Sequence, residues 1–171
     1  MKTLLTLILT TVISIPAFAQ DHSNHSHNEH LNTLVSEYVK IKEALVKDDF
    51  EQAKKYLAAF TLEAKTNDDM NSHHSHADKH ISHHNKMADA LNQAESAQSI
   101  SQLRDAFDEI SIELLSAIEN QDYKQQTIYV QFCSMANKGE GSKWLSTKKT
   151  IENPYYGQSM LGCGDIIKTI Q

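Results

Sequence analysis

Apolar residues recur every three or four positions through most of residues 31–120, and this spacing restricts that region to packed amphipathic helices. The pattern falls into four stretches, over residues 31–47, 50–66, about 72–95 and about 100–120. Short polar links separate them. The links carry helix-start signals, such as a serine–glutamine capping box at Ser99. The pattern predicts an all-α protein, an up-down four-helix bundle.

The composition changes near residue 127. Residues 127–132 are β-branched and aromatic, which predicts an extended segment. All five glycines and both cysteines follow within residues 133–165, and residues 153–157 form a turn motif with Pro154 at its second position. The tail, residues 165–170, fits a short helix or a strand. We therefore predict one domain over residues 31–171, a helical bundle with an irregular C-terminal segment that carries cysteines and methionines.

The first 19 residues have the layout of a secretory signal peptide. Lys2 precedes the apolar stretch Leu4–Ile15, and Ala17-Phe18-Ala19 is an A-x-A cleavage site. The stretch is shorter than the ~20 apolar residues of a membrane span. We predict a periplasmic protein, cleaved after Ala19 and without stable membrane insertion afterwards. Residues 20–30, polar and rich in histidine, are predicted to be disordered.

Charge and motif content limit the class of function. Loss of residues 1–19 removes one lysine and no acid, which changes the net charge from −6 to −7. Such an acidic chain, with Arg104 as its only arginine, is not expected to bind nucleic acid. No Ser-His-Asp set, paired-carboxylate cleft or glycine-rich phosphate loop is suggested. We therefore predict a binding protein that attracts cations and is not an enzyme.

All ten histidines fall into two clusters, which indicates metal binding because neutral imidazole is a ligand for zinc, copper and nickel. In the second cluster the i, i+3 and i, i+4 spacing places several histidines on one helix face. The alternative is a solvated polar face that happens to be rich in histidine. The candidate ligands are His22, His25, His27 and His30 in the first cluster, and His73, His76, His80, His83, His84 and Met87 in the second.

Cleavage after Ala19 would give the first cluster a further possibility. The mature chain would then begin Gln20-Asp21-His22. A free amino group, two backbone amides and the imidazole at position three form a square-planar nitrogen set, which suits Cu(II) or Ni(II).

Two cysteines and two methionines form a third candidate site. The pairs have related spacings: Cys133 with Met135, and Met160 with Cys163. Soft sulfur ligands select Cu(I). However, two cysteines in an exported chain equally allow a structural disulfide, with both methionines packed in the core. The spacing leaves both alternatives open.

Residues 129–164 resemble the C-terminal signature of the domain-of-unknown-function 3347 family. The matching motifs are Cys-Ser-Met-Ala from Cys133, Trp-Leu-Ser from Trp144, Asn-Pro-Tyr-Tyr-Gly from Asn153 and Met-Leu-Gly-Cys-Gly from Met160. Ser134 stands where the family usually has proline. The resemblance implies an exported helical bundle, of a kind that also occurs fused to heavy-metal efflux adaptors.

That resemblance implies a link to copper or silver handling, with an efflux pump or its adaptor as a partner. The resulting prediction is a periplasmic copper-binding protein that buffers the ion or passes it to an efflux system. Cu(I) would bind through Cys133, Met135, Met160 and Cys163, and Cu(II) through the histidines. The alternatives are a zinc or nickel buffer with a structural disulfide, and an interaction module that docks an efflux complex without metal.

Overall fold

The computed structural model describes residues 22–66, 77–121 and 123–171, and the side chains of residues 29–65, 85–121 and 123–171. This part of the chain folds into four helices and three strands. The helices are α1 (His22–Val46), α2 (Phe50–Thr66), α3 (Ala77–Ser96) and α4 (Ile100–Asn120). The strands are β1 (Ile128–Cys133), β2 (Ser142–Ser146) and β3 (Asp165–Ile170).

Successive helices run antiparallel, so the predicted up-down order of the four helices is confirmed. Neighbouring helices are joined by contacts between residues at the same level along the bundle axis. These contacts are His30 with Glu63, Lys54 with Ala94, and Lys86 with Glu113. The N-termini of α1 and α3 therefore lie at one end of the bundle, with the C-termini of α2 and α4. The α1–α2 and α3–α4 turns lie at the other end.

The helix starts follow from local hydrogen bonds. Asp49 accepts from the backbone N–H of Gln52 at 3.0 Å, which caps α2. The Ser99 side chain accepts from the backbone N–H of Gln102 at 3.3 Å, which confirms the predicted cap of α4. By contrast, α1 begins at His22, inside the segment 20–30 that the sequence predicts as disordered. The polar segment continues the helix N-terminally from the first core residue, Leu31.

The predicted all-α class is wrong, because the C-terminal part forms a three-stranded antiparallel sheet in the order β2-β1-β3. The extended segment predicted over residues 127–132 is confirmed as the central strand, β1. The sheet packs through β2 on α4, where Trp144 and Leu145 are buried. Strand β2 is short and flanked by glycine, and β3 is solvent-exposed, so neither carries the hydrophobic alternation that predicts a strand.

Tyr38 joins the sheet to the helices. Its ring stacks on Phe107 of α4 with centroids 4.8 Å apart. Ser111 donates to the Phe107 carbonyl, so the Tyr38 hydroxyl donates to Ser111 Oγ at 2.7 Å. The same hydroxyl accepts from the backbone N–H of Leu145 in β2 at 3.1 Å. Burial raises the pKa of Tyr38 and keeps it neutral, so both bonds persist across the physiological pH range.

Among the described helices, none is both long and apolar enough to cross a membrane.

Candidate functional site

The described residues of both histidine clusters lie at the same end of the bundle, which we call the histidine end. We define it as residues 22–30 of α1, the last turn of α2 and residues 77–84 of α3. The arrangement follows from topology, because α1 and α3 both begin there and α2 ends there. The two clusters are about 50 residues apart in the sequence and share this end only because α2 returns the chain to it.

His30 shows the local geometry of the histidine end. Its Nδ1 lies 2.8 Å from Oε1 of Glu63 on α2, and its side chain is only 14% exposed. An ionised carboxylate can only accept, so Nδ1 carries a proton, and in the neutral imidazole Nε2 is then the nitrogen with the free lone pair. Metal-ligating histidines in proteins characteristically donate their other N–H to a carboxylate in this way. Sequence reasoning identified His30 and missed Glu63, which has no motif to mark it.

The histidine positions of α3 lie on the same helix face as its core residues, two turns nearer the N-terminus. We call this face the core stripe. Met87, Ala90 and Leu91 pack against or within the hydrophobic core. Positions 80, 83 and 84 precede them by seven residues each, or two helical turns, and so lie on the same stripe. In α1, position 27 has the same relation to the buried Leu34. Met87 itself is partly buried and packs against the core at the inner boundary of the histidine end.

Several predicted ligands fall outside what the structure describes. His73 and His76 lie outside the described residues. The backbone places His22, His25 and His27 in α1 and His80, His83 and His84 in α3, while their side chains lie outside the described part. Among the described residues, no three His, Cys, Asp or Glu side chains are grouped to hold a metal ion.

Cys133 and Cys163 form a disulfide, with Cα atoms 5.8 Å apart. The structure thus has the structural-disulfide alternative, in which neither sulfur is a thiolate ligand. Met135 and Met160 do not both pack in the core, as that alternative supposed. Met135 is 49% exposed, and Met160 is partly exposed beside the bond.

These four sulfur residues define a sulfur end, which is opposite the histidine end. The 153–163 loop packs against the α1–α2 turn, where Asp48 accepts from the backbone N–H of Gln158 at 3.1 Å. About 16 residues of α1 separate that turn from His30, or about 24 Å along the helix axis. A single ion therefore cannot be shared by the predicted sulfur and histidine ligands.

Asn153 organises the loop of the sulfur end. It is fully buried, and its side-chain amide donates to the Cys163 carbonyl at 2.9 Å. Its side-chain oxygen accepts from the backbone N–H groups of Tyr155 and Tyr156 at 2.8 and 3.2 Å. The Tyr156 hydroxyl then donates to the Met135 carbonyl at 2.5 Å. The two sulfur pairs are thus held together by hydrogen bonds as well as by the disulfide.

Arg104 fixes this loop to the bundle. Its guanidinium donates to the carbonyls of Pro154 and Leu45, at 2.7 and 2.8 Å, and to Asp48 Oδ1 at 2.6 Å. The Arg104 hydrogen bond, with that from Gln158, holds the pKa of Asp48 below its usual range. Gly157 adopts a φ of +54° against this cluster, where a side chain would collide with Asp48 and Arg104. The single arginine of the sequence therefore has a structural role.

A cavity of about 260 Å³ lies beside the sulfur end, between α4 and the turn after β1. Asp108 lines it and accepts from the Tyr155 hydroxyl at 3.3 Å. Burial raises the pKa of Asp108, and the nearby acids Glu109 and Asp105 raise it further. The cavity places a carboxyl group of raised pKa beside the hydroxyl groups of Ser142 and Tyr155.

We expect Asp108→Asn to raise the free energy of unfolding at pH 7. A carboxyl group whose folded pKa is raised binds its proton more tightly in the folded state, so its ionisation opposes folding above that pKa. The gain should shrink as the pH falls, and it should vanish below the unfolded pKa of about 3.9, where both states are protonated. Urea unfolding at pH 7 and pH 4 measures it. Asp89→Asn, at an exposed position of α3, is the control, and an equal gain there would contradict this explanation.

The molecule is thus a four-helix bundle with a C-terminal antiparallel sheet, and a disulfide links the end of β1 to the loop before β3. The model of one protein family, described as "Protein of unknown function (DUF3347)", matches residues 34–126. This match covers more than half of the chain, and the protein therefore belongs to that family. No curated protein and no solved structure is significantly similar to the chain.

The family match confirms the predicted resemblance. The most specific motifs of that resemblance, in residues 129–164, lie outside the matched region, which contains the helices and ends before β1. The family match is therefore based on the helical core. The disulfide loop and the first histidine cluster lie outside the matched region, whereas the second cluster, residues 73–84, lies within it.

Proposed function

We propose that this protein is an exported metal-binding protein that holds a divalent ion, copper in the first instance, at the histidine end. The observation that carries the proposal is the convergence of the two histidine clusters on one end of the bundle. The ion would be buffered there or passed to a heavy-metal efflux pump or its adaptor.

The bundle supplies a suitable place for such a site. Helices α1 and α3 each pack against α2 and α4, so they face each other diagonally across the bundle. With neighbouring axes 8–10 Å apart, diagonal axes are about 12–14 Å apart. Metal sites in bundles are built from side chains on facing helices across such a distance. Positions 27, 80, 83 and 84 lie seven residues before core-facing positions of their own helices, so they are the proposed main ligands.

His30 supports the proposal with an oriented imidazole. The Glu63 carboxylate holds the tautomer that leaves Nε2 for a metal, and it raises the basicity of that nitrogen. The acidic net charge favours accumulation of cations near the surface. His22 and His25 begin the helix, and they would extend the site to a second ion or to a mature N-terminus at Gln20.

A zinc or nickel buffer is the second candidate, and the disulfide favours it. With Cys133 and Cys163 oxidised, nitrogen and oxygen ligands do all the binding, and such ligands do not by themselves select copper. Competition among Cu(II), Zn(II) and Ni(II) for the chain from residue 20 decides between the two. Copper preference beyond the ordinary order of divalent-ion affinity supports the first candidate, and preferential retention of zinc or nickel supports the second.

Glu63→Gln tests the oriented histidine. The neutral amide cannot supply the negative charge that strengthens Nε2 as a ligand, so we expect Cu(II) affinity to fall about 10- to 100-fold. Competition with a chelator of known affinity measures the change. Glu51→Gln, exposed in the first turn of the same helix, is the matched control and should leave the affinity unchanged. Equal affinities of the Glu63 variant and the unmodified chain would show that the Glu63 carboxylate does not strengthen His30 as a ligand.

A further inference from the structure

The sulfur end carries a second inference, independent of the histidine end. We propose that reduction of the Cys133–Cys163 disulfide converts this end into a Cu(I) site, with both thiolates as ligands and the Met135 or Met160 thioether as a third. The oxidised form shown by the structure is then the closed state of the site.

The two cysteines differ in solvent exposure, and this difference determines which sulfur a reductant attacks. Cys133 is buried at 1% exposure, whereas Cys163 is partly exposed and follows the exposed Leu161. Beside it, Gly162 has open space where a side chain would project. An incoming thiolate therefore reaches the Cys163 sulfur, and Cys133 is the leaving group.

The reductant is a dithiol protein of the disulfide-exchange class. One of its thiolates attacks Cys163 Sγ, which breaks the Cys133–Cys163 bond, forms a mixed disulfide and releases the Cys133 thiolate. The second thiolate of the dithiol protein then attacks that protein's first sulfur in the mixed disulfide and releases the Cys163 thiolate. Two electrons and two protons pass to the chain, and the donor leaves as a disulfide. Cu(I) then replaces the two thiol protons.

Hydrogen bonds keep the four sulfur residues close after reduction. Asn153 still holds the Cys163 carbonyl, and Tyr156 still holds the Met135 carbonyl. The Cys163 backbone N–H donates to the Met160 carbonyl at 3.0 Å. With metal–thiolate bonds of about 2.3 Å, a two-coordinate ion needs sulfurs at most about 4.6 Å apart. Cα atoms 5.8 Å apart allow that distance through side-chain rotation alone.

The ligand set selects the ion by its chemistry. Thiolates and thioethers are soft donors, which Cu(I) prefers over harder nitrogen and oxygen ligands. The partial exposure of Met135, at 49%, leaves it free to turn towards the cysteines or to receive the ion from a partner. An oxidised chain lacks both thiolates, so copper loading at this end would depend on the redox state.

The test is an anaerobic titration of Cu(I) against a chromophoric Cu(I) chelator. The chain from residue 20 is used oxidised, and also reduced with dithiothreitol that is then removed. We expect one sulfur-ligated Cu(I) per reduced chain and none in the oxidised chain, read by X-ray absorption at the copper edge. Equal binding by both forms, or only nitrogen neighbours around copper in the reduced form, would overturn the proposal.

Variants locate the site and separate it from the histidines. Cys133→Ser with Cys163→Ser should lose sulfur ligation. Because that variant is destabilised, Met135→Leu with Met160→Leu provides a second test that keeps the disulfide, and it should weaken Cu(I) binding in the reduced form. If the double methionine variant binds Cu(I) as tightly as the unmodified chain, the thioethers are not ligands and that part of the proposal is wrong. Replacement of the histidines should leave this Cu(I) binding intact, whatever it does to Cu(II).

Tryptophan fluorescence checks that the reduced chain remains folded during the titration. Trp144, the only tryptophan, is fully buried and lies against Gly164, next to Cys163. Native-like emission after reduction is expected. An unfolded emission spectrum would overturn the proposal, since the site depends on the native placement of the loop.

Discussion

Phe107→Ala is expected to lower the free energy of unfolding by about 3–5 kcal/mol, the usual loss for a large aromatic residue removed from a core. Phe107 has no exposed surface, and its ring lies between Tyr38, at 4.8 Å, and Tyr155, at 6.1 Å between ring centroids. The cavity would open between the bundle and the sheet. Both layers should therefore loosen together, and urea unfolding should show a single transition at lower denaturant concentration.

Ile112→Ala is the matched control for that loss. Ile112 lies on the same helix and is 44% exposed. An exposed substitution of this kind usually changes stability by less than about 0.5 kcal/mol. A loss of similar size in both variants would mean that α4 does not bury the face that contains Phe107.

Removal of the disulfide should have the second-largest effect. Cys133→Ser with Cys163→Ser opens a loop of 30 residues, and the chain-entropy relation gives a loss of about 3.5 kcal/mol. The hydrogen bonds of Asn153 should keep the folded loop in place, so the loss would come mainly from the unfolded state. Urea unfolding of the variant, followed by Trp144 fluorescence, measures the change.

Reduction of the unmodified chain provides the comparison for the serine variant. It breaks the same covalent link without changing a side chain, so it should cost a similar amount of stability. If the reduced chain and the serine variant both unfold at the denaturant concentration of the oxidised chain, the disulfide does not stabilise this fold.

The helical half of the fold was predictable because helices of this length repeat their core contacts many times. The bounds of α2 agree with the predicted 50–66, and α4 begins where the Ser99 cap indicated. The start of α1 was not predictable from periodicity. Residues 22–30 contain little apolar sequence, and only their continuity with the packed part of α1 makes them helical.

The sheet was only partly predictable because its strands are five or six residues long and depend on tertiary pairing. The β-branched and aromatic residues of β1 were sufficient by themselves to predict an extended segment. β2 contains only two apolar residues, Trp144 and Leu145, and β3 pairs along one edge while its side chains stay largely exposed. Neither pattern distinguishes a strand from a loop until β1 is placed between them.

The candidate sites were also only partly predictable from the sequence. Counting histidines located the clusters, but only the antiparallel helix order brings them to one end. Cysteine spacing left a disulfide and a Cu(I) site equally open, and the structure has the disulfide. Glu63 could not have been found from sequence, because no motif marks it and its contact with His30 spans 33 positions. The turn motif marked Asn153, but its hydrogen bond to the Cys163 carbonyl, ten positions away, was not predictable.

The most direct test of the account is whether the two histidine clusters act as one site. Cu(II) affinity and stoichiometry would be measured for the chain from residue 20 and three variants. One replaces His27 and His30 with Asn, one replaces His80, His83 and His84, and one combines both sets. Shared ligands predict that either single set weakens the same tightest ion, and that the combined variant loses much less than the sum of the two losses. Two independent ions, each unaffected by loss of the other cluster, would contradict the account.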